Sequence, residues 1–238
     1  MLLGGLLARD PEAHETMDDP DCDPVMLART FARFALVNAL VSSPGALYRH
    51  WIRPRLRAGE AVRMLDVGTG GGDLPRRLLR WASRDGGALT AVAIDPDPRA
   101  IAAALDGPSM PGLDLRQTTT RALAVSGERF DVVVSNHVLH HLSPHELGAI
   151  LADSERLAAP GGVVVHGDIA RSPLAYAAFA AATLPFESTL LRDTFIRADG
   201  LASIRRSHTR AELARAAPPG WRVQRGFPAR LELVRGAP

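Results

Sequence analysis

An α/β fold built on a doubly wound, mostly parallel seven-stranded sheet is predicted by three features. Short apolar runs alternate with helical patterns between residues 61 and 168, a glycine-rich turn directly follows the first run, and an aspartate closes the second. The 238 residues suit one large domain carrying additions. Apolar residues at 46% and charged residues at 23% exclude disordered, collagen-like and disulfide-scaffold classes. All 28 basic residues are arginine, against 26 acids, and they are scattered along the chain for a net charge of +2, so charge does not point to nucleic acid. Cys22 is the single cysteine, which excludes an internal disulfide and suits a reducing cytoplasm. Residues 1–7 are apolar but short and lack a basic leader, so no signal peptide is expected. No run approaches the roughly 20 apolar residues of a membrane span, and a cytoplasmic location is expected.

Residues 10–24 are acidic and punctuated by proline, a composition that predicts a loose arm with order beginning near Pro24. Helical spacing of Leu27, Phe31, Phe34 and Val37, a break at Ser42 to Gly45, and a second piece through Tyr48 and Trp51 predict helices before the first strand. Residues 1–60 are thus read as an acidic arm with cap helices, and 61–238 as the main domain. Strands are expected at 61–67, 89–94, 113–117, 130–135 and 163–166. Helices are expected at 74–81, at 98–105 behind an Asp97 cap and Pro98, and at 146–158 behind a Ser143 to Glu146 capping box. Residues 170–212 exceed what one crossover helix needs. They read as an inserted helical cap, with helices at 173–184 and 187–196 and a further capping box from Thr209 to Glu212. Strands at 221–225 and 230–234, separated by Gly226 and Pro228, read as a terminal hairpin.

The segment Leu65-Asp-Val-Gly-Thr-Gly-Gly-Gly72 carries the most chemistry. Gly68, Gly70 and Gly72 let the backbone approach a ligand at the carboxyl end of a parallel strand, where such sheets bind nucleosides. A dinucleotide fingerprint would place its third glycine where Asp73 stands, so that pattern fails. Asp95, at the end of the next strand beside Pro96, is an acceptor-only group suited to the two hydroxyls of a ribose. Asp66 is costly to bury unless paired, so a ligand amine or the backbone of the glycine turn is its expected partner.

These residues make the chain resemble the class I S-adenosylmethionine-dependent methyltransferases over about residues 62–235. Leu65 to Gly72 looks like that family's first motif and Ile94-Asp95 its second. Phe130 to Leu142 looks like its fourth strand and following segment, and Leu157 to Val163 its approach to the fifth strand. The resemblance implies a Rossmann-like sheet with an antiparallel terminal strand and S-adenosyl-L-methionine as cofactor. The implied contacts are Asp66, Gly68, Thr69, Gly70 and Gly72 for the methionine part and backbone, Asp95 and Pro96 for the ribose, and Asn136 at the edge of the site. Where the family often holds the adenine amine with an acid, this chain has Thr118 to Thr120, and Thr119 is the candidate.

Methyl transfer from a sulfonium mainly requires holding acceptor, methyl and sulfur in line in a dry site. A hydroxyl acceptor must also lose a proton, within reach of an imidazole if the developing phenolate is stabilised. His137, directly after Asn136, is the candidate base. On a helix it would share a face with His140 or His141, which are expected to be structural. Asp168, ending the fifth strand, is the candidate to orient the base; no HExxH pattern is present and Ile169 follows, so no metal is expected. Tyr48, His50, Trp51, Arg205, Arg206 and His208 are candidates to line an acceptor pocket, and Phe179, Phe186 and Phe195 make the cap apolar. No amine-gripping Asn/Asp-Pro-Pro run and no basic nucleic-acid module is present. The general look is similar to methyltransferases of quinone and polyketide pathways, so a small phenolic or quinone-like acceptor methylated at oxygen is expected, with the enzyme a monomer or homodimer. The rival readings are an NAD(P)-dependent oxidoreductase and a non-catalytic nucleoside-binding partner protein.

Overall fold

The computed structural model describes residues 8–236; the apolar stretch 1–7 lies outside the described residues. Seven strands, β1 (Val62–Val67), β2 (Leu89–Asp95), β3 (Leu113–Gln117), β4 (Phe130–Asn136), β5 (Ala158–Ile169), β6 (Arg222–Gly226) and β7 (Arg230–Arg235), form one sheet in the order β3-β2-β1-β4-β5-β7-β6. Strands β1 to β5 pair in parallel. β7 runs antiparallel to both neighbours, closing the predicted hairpin. The order reverses between β1 and β4, and ligand crevices in such sheets open at that switch, outside the carboxyl ends of the strands.

Alternate side chains of the central strands feed two cores, one on each face. Met64, Val132 and Val134 pack with Leu74, Leu78, Tyr48, Trp51 and Ile52 on one side. Leu65, Val67 and Val133 pack with Leu139, Leu147, Leu151 and Leu157 on the other. The covering helices begin where the sequence places their caps. α5 (Pro98–Asp106) starts with the Asp97 carboxylate accepting from Arg99 N, and α7 (Pro144–Leu157) with the reciprocal Ser143–Glu146 box. α1 (Pro24–Val41), α2 (Pro44–Leu47) and α3 (Arg53–Arg57) precede the sheet, α4 (Asp73–Arg84) follows β1, and α6 (Thr120–Ser126) follows β3. α8 (Pro173–Thr183), α9 (Ile196–Arg206) and α10 (Arg210–Ala216) lie between β5 and β6. Among the described residues no helix is long and apolar enough to cross a membrane.

Two expectations are corrected. The helix read at 187–196 is a series of turns, and the helix begins instead at Ile196, where Ile196, Ala202 and Ile204 present a buried face and Gly200 admits the Phe179 ring. The acidic arm is not loose before Pro24. Asp10 N donates to Arg205 O at 3.1 Å, Thr16 N and Met17 N donate to the Asp199 carboxylate at 2.8 and 2.9 Å, and Arg99 donates to Asp19 O at 2.8 Å. Few apolar groups suggested disorder, but the arm is held by polar pairing with α9 and α5, which composition alone does not register.

Candidate active site

β1 must turn into α4 within five residues. Gly68, Gly70 and Gly72 take φ of +70°, +53° and +71°, where glycine pays little steric penalty. At Gly68 a Cβ would stand 2.5 Å from Val138 Cγ2, so the segment after β4 can touch the turn only because this position has no side chain. The turn is tied to β2 by Gly68 N and Thr69 N, which donate to Ile94 O at 2.9 and 3.0 Å, and by Gly70 N, which donates to Asp95 Oδ2 at 3.0 Å. Buried Arg76 of α4 holds its other edge, donating to the carbonyls of Gly71 and Gly72 at 2.9 and 3.0 Å and to Pro108 O at 2.8 Å. Phe31 of α1 lies over the turn.

Three carboxylates surround this cradle. Asp66 is 1% exposed, and the Thr69 hydroxyl donates to it at 2.7 Å; its observed partner is therefore a side chain rather than the turn's backbone. Desolvation, with the nearby Asp73 and Asp95 adding to it against the Thr69 bond, pushes the Asp66 carboxyl up to about 7. Asp95 accepts from Gly70 N and Asp97 N, both at 3.0 Å, which leaves each oxygen a further lone pair. Its carboxyl is raised by burial. Asp73 opens α4, where a dinucleotide would seat its pyrophosphate; a carboxylate there repels such a ligand.

The segment after β4 is not a helix. His137 takes φ +60° with its N–H on Gly167 O at 3.0 Å, continuing the β4–β5 ladder for one residue, and a single 3-10 turn, Leu139–His141, follows. The shared helical face expected for His137 and His140 or His141 is thereby corrected. His137 Nε2 lies 2.8 Å from Ser42 Oγ and 3.3 Å from Arg230 Nη1. Desolvation and then the Arg230 charge push His137 down to about 3, so it is neutral. Arg230, at the start of β7 and 4% exposed, also donates to Val41 O at 3.1 Å and to Asn136 Oδ1. Those partners are neutral, and burial lowers its own pKa to about 10. Ser42, Leu47, Asn136, Gly167, Arg230 and the carboxylate-bearing Glu232 line a small cavity here. Thr119 and Pro96 are exposed at the rim; the Thr119 hydroxyl caps α6, accepting from Ala122 N at 3.3 Å.

Asp168 orients His140 rather than His137. Its Oδ2 accepts from His140 N at 2.8 Å and its Oδ1 lies 2.7 Å from His140 Nδ1. Desolvation would raise the Asp168 carboxyl, but the charge and hydrogen bond of His140 overcome it and hold it well below the usual range. Desolvation likewise opposes charge on His140, and Asp168 and Glu15 overcome it to push that imidazole up to about 10. Several pocket candidates are absorbed elsewhere. Tyr48 and Trp51 belong to the core, Arg205 pairs with Asp10, and His208 is buried. Arg230, Ser42, Arg76 and Glu15 are the site residues that sequence reasoning missed. A lone arginine opening a strand and a serine ending a helix carry no spacing signal, and their roles arise only where β7 and α1 meet β4.

Residues 65–166 match a family model described as a methyltransferase domain. The chain is 37% identical over 120 residues to a ubiquinone biosynthesis O-methyltransferase of Cereibacter sphaeroides, covering 50% of this chain and 45% of that one. It is 32% identical over 124 residues to the protein of the same name from Azorhizobium caulinodans, covering 51% and 46%. The chain thus spans about half the length of the curated relatives it matches. Among solved structures, the plantazolicin methyltransferase BpumL in complex with a monoazolic desmethylPZN analog and SAH superposes with a TM-score of 0.63 at 12% identity, covering 99% of this chain and 98% of that one. A SAM-dependent methyltransferase from Aquifex aeolicus gives 0.55 at 16% identity, covering 95% and 98%. At these identities the structural likeness is one of fold.

Proposed function

We propose that the chain is a class I S-adenosylmethionine-dependent methyltransferase that binds S-adenosylmethionine over the glycine turn and methylates an oxygen of a small phenolic or quinone-like molecule in the cytoplasm. The bound cofactor supplies an electrophilic methyl on a sulfonium. The cradle suits it: three left-handed glycines keep side chains out of the nucleoside channel, and Asp66, with a single hydroxyl donor, lacks a cation that the cofactor's ammonium provides. Asp95 offers its remaining lone pairs to the ribose, Asn136 borders the reacting end, and Thr119 is left for the adenine edge. The carboxylate at Asp73 and the departure from the dinucleotide fingerprint argue against a nicotinamide ligand.

The observation that carries the oxygen-acceptor reading is Arg230, a buried guanidinium whose hydrogen bonds among the described residues go to neutral groups beside His137, while the carboxylates of Asp168 and Glu232 act on its charge without bonding it. A cation held in a dry cleft stabilises the negative charge that develops on an acceptor hydroxyl as its proton leaves. His137, neutral, offers Nε2 as the proton's first stop, though an imidazole pushed down to about 3 is a weak base and Arg230 carries most of the effect. Asp168 acts one step further out, fixing His140 under the site. The helices of 24–57 and of the 170–212 insertion are assigned to closing over the acceptor, and Leu184, Phe186 and Leu190 give the insertion an apolar character that suits a quinone ring. Transfer of labelled methyl from S-adenosylmethionine to a panel of phenols and hydroxyquinones tests the reading; label on oxygen supports it, and label only on carbon, nitrogen or nothing overturns it.

Binding of the cofactor should depend on pH through Asp66. Its carboxyl is raised to about 7, and the ammonium of the ligand pairs with the ionised form. Affinity therefore falls as pH drops through 7, by up to about tenfold per unit, and rises no further above it, where the ligand's own ammonium begins to lose its proton. Titration calorimetry between pH 5.5 and 8.5 reads this slope, and Asp66→Asn should flatten it at weak affinity. A pH-independent affinity in the parent would remove Asp66 as the ammonium's partner.

A further inference from the structure

We infer that the chain carries a divalent transition-metal site of the zinc class, formed by Glu15 of the N-terminal arm with His140 and His141 of the turn after β4. One ligand atom from each lies within 4.8 Å of the others. Glu15 and His140 are 3% and 2% exposed and form an ion pair, Glu15 Oε1 to His140 Nε2 at 3.4 Å, yet among the described residues neither of those two atoms has a hydrogen-bond partner. That separation exceeds the usual N–H···O range, and it matches the edge of a tetrahedron whose ligands stand about 2.0–2.1 Å from a central zinc ion.

The rings are set as ligating imidazoles are. His140 Nδ1 lies 2.7 Å from the Asp168 carboxylate and His141 Nδ1 lies 3.1 Å from that of Asp18, so each ring turns Nε2 toward Glu15. His141 Nε2 is 3.8 Å from Glu15 Oε2. A carboxylate on the far nitrogen fixes the tautomer and orientation of a metal-bound histidine, and here both candidates have one. Arg206 is a competing cation, its Nη1 forming an ion pair with Glu15 Oε1 at 3.6 Å. Its hydrogen bonds go to Asp18 at 3.2 Å and to the carbonyl of His141 at 3.3 Å, groups that are not ligands. Two histidines and a glutamate leave a fourth position open, and an ion there pins the arm to the turn that borders the active site.

Metal binding at these residues is read directly, independently of methyl transfer. The full chain, stripped with chelator, is titrated with zinc against a chromogenic competitor and with cobalt by visible absorption. One ion per chain with a tetrahedral cobalt band is expected. Glu15→Gln and His141→Gln, checked for folding by circular dichroism without metal, should abolish binding, while Asp18→Asn should weaken it by about 10–100-fold through the far nitrogen of His141. Bound zinc should also slow proteolysis between residues 8 and 23. No binding at millimolar metal, or binding that survives both ligand substitutions, would overturn the site.

Discussion

Gly70→Arg is expected to abolish S-adenosylmethionine binding, a loss of over about 100-fold or ~2.7 kcal/mol, while leaving the chain folded. A Cβ at this position meets only the Phe31 ring, at 3.8 Å, so the first carbon is accommodated. The φ of +53° adds a strain on the order of 1 kcal/mol, which a domain of this size tolerates. The remaining side chain extends across the turn, and its guanidinium comes within reach of Asp66 and Asp95, the groups assigned to the cofactor's ammonium and ribose. Calorimetric titration with far-ultraviolet circular dichroism on the same sample separates lost binding from lost fold. Gly68→Ala is a contrasting case. Its Cβ would stand 2.5 Å from Val138 Cγ2, so that variant is expected to lose stability first and affinity as a consequence. Unchanged affinity in folded Gly70→Arg would place the cofactor elsewhere.

The second large effect is expected on turnover. Arg230→Met keeps an apolar stem along Asn136 and removes the cation, and methyl transfer to a phenolic acceptor should fall by about 10²–10³-fold, the scale for deleting one donor to a developing oxyanion. Cofactor affinity should change less than the rate, because Arg230 bonds Val41, His137 and, at the edge of the cofactor site, Asn136, and makes no bond to the glycine turn. His137→Ala should cost less, about 10–100-fold, since its imidazole is pushed down to about 3 and holds a proton poorly. Acceptors with lower phenolic pKa should narrow both losses. A rate in Arg230→Met equal to the parent's across that series would remove the cation from the reaction.

The sheet was legible because its periodicity is local. Residues 130–135 announce a buried strand, Asp97-Pro98 and Ser143 to Glu146 announce helix starts, and each is where the structure has it. The glycine turn was legible for the same reason: four glycines within five residues, three of them at positive φ, encode a backbone path that few other residues can take. The arm and the histidines were not, because their meaning depends on partners far away in sequence. Glu15 meets His140 across 125 positions, and neither neighbourhood carries a repeat or a ligand spacing that would pair them. Asp168 was expected to orient a base, and the imidazole it reaches is His140, since the left-handed turn at His137 sends that ring toward Ser42 and Arg230 instead. The helix misplaced at 187–196 shows the same limit, for the helix that begins at Ile196 has no side-chain cap to announce it and packs Gly200 on Phe179, a partner outside its own segment.

The glycine turn, Asp66 and Asp95 are proposed to form a site for S-adenosylmethionine. Thermal unfolding with S-adenosylmethionine, S-adenosylhomocysteine, NAD and NADP side by side tests it most directly, since a ligand at about 100 times its dissociation constant stabilises a fold by about 2.7 kcal/mol. A raised melting temperature with the two sulfur nucleosides, and none with the nicotinamide nucleotides, is the predicted result. Stabilisation by NAD or NADP in their place would contradict it.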